Sequence, residues 1–276
     1  MRWKQFFTPV ESINAEHAKK MIREKEHGSY TLLDVRQPAE YEAGHLPAAK
    51  LIPLPQLKER LHELDPEKPT VVYCAVGGRS RVAAQMLAGK NFSEVYNLSG
   101  GFKGWHGNVA AGREDQGLDL FTGRETPEEV LLVAYSLEKG LRDFYRKIIP
   151  ATENSPARDL FQKLAGIELN HQKRIFNEYC RITGIETEIE KFDREIVAPA
   201  MEGGIDTEEY MQRYGANVES TAEVVDMAMS IEAQALDLYS RAADNAADSA
   251  GSEALQQIAR EEQEHLTLLG ELLDRM

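Results

Sequence analysis

The stretch EEQEH, residues 261–265, places Glu262 and His265 three positions apart near the carboxyl end of the chain. The same spacing recurs earlier in the sequence, at Glu168 and His171. Residues at positions i and i+3 share one face of an α-helix, so each Glu-x-x-His pair points in one direction. Both pairs lie in long segments of helical periodicity, which predicts that the second half of the chain is all-α.

Four long helices are predicted from Thr126 onward, and Pro127, Pro150 and Pro156 mark helix starts and stops. Their approximate ranges are 126–149, 155–182, 220–247 and 252–276. The connection 185–219 is too long for a tight turn, so we expect a crossover with a short helix of its own. Four helices with one long middle connection are typical of a four-helix bundle.

The two helix pairs repeat each other. In each pair, a glutamate is followed seven residues later by a tyrosine and 30 residues later by the glutamate of a Glu-x-x-His motif. The matched positions are Glu138 with Glu232, Tyr145 with Tyr239, Glu168 with Glu262, and His171 with His265. Four polar positions with the same spacing in both hairpins indicate one shared polar site.

The matched glutamates interrupt the apolar stripes of their helices, which would bring four carboxylates and two imidazoles into the bundle core. Burying unpaired carboxylates costs several kcal/mol each, and like charges add to that cost. Two divalent cations would cancel four negative charges, and mixed oxygen and imidazole ligands suit iron or manganese. On this interpretation Ile167 lies on the apolar stripe of the second helix, and Glu261 and Glu264 lie on a solvated face.

The first half of the chain alternates β-rich and helical segments, which predicts an α/β domain with a mainly parallel sheet and helices on both faces. The predicted strands are YTLLDVR (30–36), TVVYC (70–74) and SEVYNLSG (93–100), and the predicted helices are NAEHAKKMIREKE (14–26), PLPQLKERLHEL (53–64) and RSRVAAQMLAGK (79–90). We therefore expect an α/β domain over 1–110, a polar linker over 111–125 and the bundle over 126–276.

Cys74 stands between a predicted buried strand and a predicted helix, and two glycines follow it closely. Glycines allow backbone N–H groups to turn inward as an anion-binding nest, and the helix N-terminus adds positive potential. With Arg79 nearby, the thiolate is favoured, so Cys74 is predicted to be nucleophilic. The spacing is Cys-x4-Arg, one residue shorter than the Cys-x5-Arg phosphatase loop, which favours a persulfide over a phosphocysteine. The residues predicted to surround the sulfur with their backbone are Ala75, Val76, Gly77, Gly78 and Ser80.

The net charge of −14 is unevenly distributed, with +3 over residues 1–110 and −17 over residues 111–276. The acidic half would repel phosphates, which argues against a nucleic-acid partner. No apolar run approaches the ~18–20 residues of a membrane span, and the N-terminus does not resemble a secretory signal. We therefore expect a cytoplasmic protein. Its two cysteines cannot form a disulfide scaffold or a four-cysteine metal site.

Residues 5–108 resemble a single-domain rhodanese, a resemblance carried by the cysteine loop, by LLDVRQPAEYEAGHLPAA (32–49) and by GGFKGW (100–105). The resemblance implies a sulfurtransferase. A Cys74 persulfide would carry sulfane sulfur from a small donor such as thiosulfate to a thiol or cyanide-like acceptor, while Arg79 and the loop amides stabilise the anionic sulfur. Asp34 and Arg36 are expected to pin the sheet to the loop, His45 to pack in a turn and Cys180 to be a buried structural thiol.

Residues 126–276 resemble the rubrerythrin branch of the ferritin-like superfamily. The resemblance implies a di-iron centre, reduction of peroxide or O₂, and a homodimer; manganese or a mixed pair fits the same ligand types. The implied ligands are Glu138, Glu168, His171, Glu232, Glu262 and His265, with Tyr145 and Tyr239 orienting the carboxylates. The chain departs from the family in two ways. It has no four-cysteine donor domain, which implies an external electron donor, and Met229 and Ala235 stand where many members have an additional glutamate.

Two other functions fit the same residues. The bundle would store or sense iron without catalysis, beside a rhodanese module that only carries persulfide. Alternatively, the two centres would be coupled, with persulfide or sulfide supplying electrons to the metals.

Overall fold

The structure is a computed structural model that describes residues 9–196 and 220–275. The chain divides into two compact units, Met1–Glu114 and Asp115–Met276. Each unit is described by itself below. The predicted boundaries at residues 110, 125 and 126 stay predictions.

The first unit contains a five-stranded sheet in which every pairing between strands is parallel. The order of the strands is β1-β5-β4-β2-β3, so β4 is the central strand. The elements in chain order are β1 (Glu11–Ile13), α1 (Ala15–Glu24), β2 (Thr31–Asp34), α2 (Pro38–Glu42), β3 (Ala49–Leu51), β4 (Thr70–Tyr73), α3 (Gly78–Ala88) and β5 (Val95–Leu98). All four residues of β4 are buried, as expected for a parallel strand covered on both faces.

One predicted helix of this unit is wrong. The segment 53–64 forms two short 3₁₀ helices, Leu54–Gln56 and Leu61–Glu63, instead of a continuous α-helix. Pro55 disfavours an α-helical backbone at the residue before it, Leu54, and the backbone of Arg60 (φ −101°, ψ 13°) separates the two short helices. The short elements β1, α2 and β3 were not predicted.

The second unit is helical. Its long helices are α4 (Pro127–Ile148), α5 (Ser155–Thr183), α7 (Thr221–Asn245) and α8 (Ser249–Asp274), and α6 (Ile189–Glu195) is a short helix between the two pairs. Capping side chains explain where three of these helices begin: Thr126 with Glu129 at α4, Asn154 at α5 and Ser220 with Glu223 at α7. The α/β domain followed by a helical region confirms the predicted fold class.

One hydrophobic cluster joins both hairpins of the second unit and includes Leu141, Phe161, Val225 and Ile231. The α6 helix lies in the predicted crossover, and residues 197–219 of that crossover fall outside the described residues. Within the described ranges, no helix is long and apolar enough to cross a membrane.

The apolar stripe predicted for the second long helix is partly wrong, because Ile167 is 44% exposed. The buried face of α5 runs through Leu164, Glu168, Gln172 and Ile175. These residues follow the i, i+4 and i+3 steps of one helix face, and Ile167 lies beside it.

Candidate active site and metal centre

Cys74 directly follows β4, so its loop begins at the carboxyl end of the central strand. The loop reaches α3 through Gly77, which caps the helix with a φ of 97°, a left-handed conformation that favours glycine. The Gly77 N–H donates a hydrogen bond to Cys74 Sγ at 3.1 Å. The thiol thus lies at the N-terminus of a helix, only 1% exposed, with a backbone donor aimed at its sulfur.

The GGFKGW segment forms backbone hydrogen bonds to the cysteine loop. The Phe102 N–H donates to the Cys74 carbonyl at 2.7 Å, and the Lys103 N–H donates to the Ala75 carbonyl at 3.0 Å. Gly101, with a φ of 57°, lies so close that an added Cβ would be 2.2 Å from the Cys74 carbonyl oxygen. Because these contacts engage carbonyl groups of the cysteine loop, the backbone N–H groups of the loop are left to face the Cys74 thiol.

Hydrogen bonds lower the pKa of the Cys74 thiol. Burial raises the pKa of the thiol, but bonds from the Ser80 hydroxyl and from the backbone N–H groups of Ser80, Val76 and Gly77 outweigh it, so the pKa lies below its ordinary value. Ser80 Oγ is 3.5 Å from Sγ and 2.7 Å from Asn97 Oδ1, and these two acceptors compete for its one proton. A thiolate is the better acceptor of the charge-assisted bond. The loop is therefore built to favour a nucleophilic sulfur.

Arg79 lies at the first turn of α3, as predicted, but its guanidinium is already paired. It donates to both carboxylate oxygens of Glu40, each at 2.7 Å. The Arg79 hydrogen bonds are the largest influence on Glu40 and hold its pKa at about 2. Glu40 was not among the residues proposed from sequence, although it lies within the motif 32–49.

The other polar residues of this motif are structural in the contacts they make. Arg36 and Asp34 form a buried ion pair at 2.6 Å, and Arg36 also donates to the Gly44 carbonyl at 2.7 Å. His45 is buried, and its ring stacks on Tyr41 with 3.5 Å between the ring centroids. Burial agrees with the structural roles expected for these residues, and the role of Asp34 and Arg36 in pinning the sheet to the cysteine loop stays a prediction.

The bundle gathers the six matched acidic and histidine residues into two groups that could each hold a metal ion. In each group, one ligand atom from every residue lies within 4.8 Å of the others. The groups are Glu138, Glu168 and His171, and Glu232, Glu262 and His265. The rings of His171 and His265 stack in parallel with 4.0 Å between centroids, so the two groups face each other across the bundle. The repeat found in the sequence is a real structural pairing.

The Nδ1 atom of each histidine faces the carboxylates. His171 Nδ1 lies 3.0 Å from Glu168 and 3.6 Å from Glu138. His265 Nδ1 lies 3.0 Å from Glu262 and 3.4 Å from Glu232. Oxygen and imidazole donors at these separations form a compact ligand set for a transition metal.

The buried acidic and histidine side chains of the second group shift one another's pKa values. Burial, and then the charge of Glu262, raise the pKa of Glu232 well above its usual range. Burial alone would raise the pKa of Glu262, but contacts with His265 lower it. Burial opposes protonation of His265, but both carboxylates together raise its pKa to about 11. A bound cation would offset the charge of the two buried carboxylates, so the residues fit a metal on charge as well as on donor type.

The remaining predicted residues are placed as follows. Tyr145 and Tyr239 are both fully buried in the bundle, and their role in orienting carboxylates stays a prediction. Cys180 is half-buried instead of buried, because the buried face of α5 ends at Phe176, one turn before it. Glu264 is exposed, as expected.

Glu261 is not on a solvated face, which corrects the sequence-based expectation. Its carboxylate accepts from Arg174 at 2.6 Å, and this ion pair links α8 to α5. The Glu261 side chain is 15% exposed, and burial raises its pKa above the ordinary value. Arg174 follows His171 by three residues and so shares its helix face, but its pairing with Glu261 depends on how α5 packs against α8.

Comparison with known proteins agrees with this arrangement. The family model for the rhodanese-like domain matches residues 14–108, and the family model for rubrerythrin matches residues 129–273. The folds thus define a two-domain protein that joins a parallel-sheet α/β domain to a carboxylate-rich helical bundle. The chain belongs to the rubrerythrin family and carries a rhodanese-like domain at its N-terminal end. Membership in that family implies iron binding.

Three similar proteins each match about a third of this chain. The chain is 49% identical over 80 residues to the uncharacterized protein YqhL of Bacillus subtilis (strain 168), a match that spans 29% of this chain and 64% of that protein. A rhodanese-like domain protein from Staphylococcus aureus is 27% identical, with 35% of this chain and 91% of that chain covered and a TM-score of 0.33. A rhodanese-related protein from Thermoplasma volcanium is 33% identical, with 35% and 90% covered and a TM-score of 0.32.

Proposed function

We propose that the protein is a sulfurtransferase that moves sulfane sulfur through a Cys74 persulfide and that it carries a di-metal centre for reducing peroxide or O₂. The observation that carries the first activity is the geometry of Cys74, whose sulfur lies at a helix N-terminus with the Gly77 N–H at 3.1 Å and with a lowered pKa. The facing Glu-Glu-His groups support the second activity. The cytoplasmic location and the homodimer stay predictions.

The sulfur-transfer step follows from the loop. The Cys74 thiolate attacks the outer sulfur of the donor, the donor S–S bond breaks, and its electron pair leaves with the departing group. Cys74 then carries one additional sulfur, which a thiolate or cyanide acceptor attacks to regenerate the Cys74 thiolate. Backbone N–H groups that stabilise the thiolate are also placed to stabilise the anionic outer sulfur.

The bundle residues would hold two ions, one in each Glu-Glu-His group, with both histidines bound through Nδ1. When bound, a pair of redox-active ions would supply electrons for reducing peroxide or O₂. The carboxylates are at most 5% exposed, whereas the His171 and His265 side chains are 13% and 14% exposed. The histidine side therefore offers small molecules the more open approach. An external reductant is needed to restore the centre.

Replacing one thiol at a time tests the sulfurtransferase activity. We expect Cys74→Ser to abolish sulfur transfer from thiosulfate to cyanide, and Cys180→Ser to retain it, because Cys180 lies in the bundle away from any glycine loop. Turnover that survives in Cys74→Ser would refute the proposed mechanism.

The metal centre is tested by metal analysis of anaerobically purified protein, followed by a peroxide-consumption assay with an added reductant. We expect two ions per chain and peroxide consumption that is lost when Glu262 is replaced by Gln. Bound metal without peroxide consumption would support the storage or sensing alternative instead.

A further inference from the structure

The Glu40–Arg79 ion pair lies at the rim of the cysteine loop. Glu40 belongs to α2 and Arg79 to the first turn of α3, and the pair forms through two hydrogen bonds of 2.7 Å each. The two side chains are 36% and 35% exposed. Because the pKa of Glu40 is held at about 2, the carboxylate stays ionised at neutral pH and the pair persists. The parallel, two-bond geometry is the most specific that arginine makes with a carboxylate.

This ion pair changes the charge of the cradle around Cys74. The loop CAVGGRS, residues 74–80, contains one cationic side chain, that of Arg79, and Glu40 neutralises it. Arg81 is two residues further along α3, and residues at i and i+2 do not face each other on a helix. Glu40 is the stronger partner of Arg79, and the attraction between Arg79 and Cys74 is the smaller one. Backbone N–H groups and the helix N-terminus add positive potential at the sulfur that fades within about one turn. This environment stabilises one negative charge at the reacting sulfur better than a second negative charge on a more distant atom of the donor.

The rim next to this pair is apolar. Val76, within the loop, is 62% exposed, and Val82 is 40% exposed. Val82 follows Arg79 by three residues on α3, so the two lie on one helix face. Exposed valines lie beside an arginine whose charge is paired. This surface favours a sulfur donor whose leaving group is organic and carries no charge where it contacts the valines.

We propose that Glu40 determines donor specificity, so that Cys74 takes sulfur from organic persulfides in preference to the dianion thiosulfate. This inference rests on the proposed sulfurtransferase function. In the step, the Cys74 thiolate bonds to the outer sulfur of a persulfide R–S–SH. The S–S bond breaks, the thiolate R–S⁻ leaves with the electron pair, and Cys74 keeps S–SH with its proton. Glu40 does not touch the sulfur and acts by positioning and neutralising Arg79.

The test compares two donors on the full-length protein under single-turnover conditions. The persulfide of 2-mercaptoethanol and thiosulfate are mixed in turn with the reduced protein, and mass spectrometry follows the addition of one sulfur atom to Cys74. In Glu40→Gln, Arg79 is released from its charged partner. We expect the ratio of the second-order rate constant for thiosulfate to that for the persulfide to rise about tenfold. The gain should appear as a lower half-saturating concentration of thiosulfate.

Two control variants sharpen the result. Glu42→Gln removes the same charge from an exposed position of the same helix, and we expect it to leave the ratio unchanged. Adding Arg79→Gln to Glu40→Gln should cancel the gain. The persulfide rate in each variant also reports whether its loop is folded.

The inference is overturned if the ratio of the two rate constants stays constant in Glu40→Gln or rises equally in Glu42→Gln. It is also overturned if the double variant Glu40→Gln/Arg79→Gln keeps the gain. These results leave the sulfurtransferase function intact as long as Cys74→Ser accepts no sulfur. Sulfur that adds to Cys74→Ser at the wild-type rate refutes the sulfurtransferase function itself, and the donor specificity with it.

Discussion

Replacing Gly101 by alanine tests whether the GGFKGW segment shapes the cysteine loop. A Cβ at this position would lie 2.2 Å from the Cys74 carbonyl oxygen, 2.7 Å from the Val76 nitrogen and 2.8 Å from the Ala75 carbonyl carbon. All three atoms are backbone, so no side chain can rotate away. Restoring ordinary contact requires the loop to move by about 1 Å, a displacement that can cost about 100-fold in rate when reacting groups are held in place.

The stability cost of Gly101→Ala has two parts. Its φ of 57° and ψ of −153° lie in a region almost confined to glycine, so a non-glycine residue costs about 1–3 kcal/mol, and the backbone clash brings the total to about 2–4 kcal/mol. Gly100→Ala is the matched control: its φ is 81°, but an added Cβ would be 3.6 Å from its nearest neighbour, Gly104 Cα. Gly100→Ala should therefore lose about 1 kcal/mol of stability and retain reactivity within a few-fold.

The assay measures two quantities for each variant. Urea unfolding of the full chain gives the change in stability of the first unit, and the rate of Cys74 alkylation by iodoacetamide, followed by mass spectrometry, gives the reactivity of the thiol. Equal losses of reactivity in Gly101→Ala and Gly100→Ala would show that the close approach of Gly101 does not shape the loop.

Three further predictions concern charge. Removing the hydroxyl in Ser80→Ala should raise the pKa of Cys74, and hence the pH midpoint of its alkylation, by about one unit, because a hydrogen bond to a charged group is worth about 1.5 kcal/mol; an unchanged midpoint would show that the backbone N–H groups suffice. Because the folded-state pKa of Glu40 is depressed to about 2, its ion pair should stabilise the fold fully above about pH 4.5 and lose that effect as pH falls towards 2. Its exposure to solvent limits the gain to about 1 kcal/mol, so the acid-induced loss of stability should be smaller by that amount in Glu40→Gln, and an identical pH profile would contradict the prediction. Glu262→Gln should lose bound metal, whereas Glu261→Gln should retain it, since Glu261 pairs with Arg174 instead of the ligand group; equal metal content in both variants would refute the ligand assignment.

The bundle was largely predictable from sequence because its apolar and acidic residues recur at regular helical spacings. Apolar spacing predicts the four long helices, and the repeat of Glu138 and Tyr145 by Glu232 and Tyr239 aligns the two hairpins. The structure brings the six matched glutamates and histidines together in two groups, each of which could hold a metal ion. Periodicity defines a face only to within about one residue, and this is why Ile167 was wrongly assigned to the buried stripe.

The contacts that sequence could not predict join residues far apart in the chain. Glu40 and Arg79 belong to different helices of the first unit, and Arg174 and Glu261 belong to different helices of the bundle. Neither pair follows from helical periodicity, because each depends on how two elements pack. The solvated face expected for Glu261 was wrong for this reason. The short strands β1 and β3 have three residues each, too few to show a period.

Native mass spectrometry of anaerobically purified full-length protein, before and after exposure to a sulfane donor, tests both centres on one molecule. We expect each chain to carry two metal ions throughout and to gain one sulfur atom on exposure, with the sulfur absent in Cys74→Ser and the metals absent in Glu262→Gln. A wild-type chain that binds no metal, or that gains no sulfur, would contradict the proposal that this protein joins a persulfide carrier to a di-metal centre.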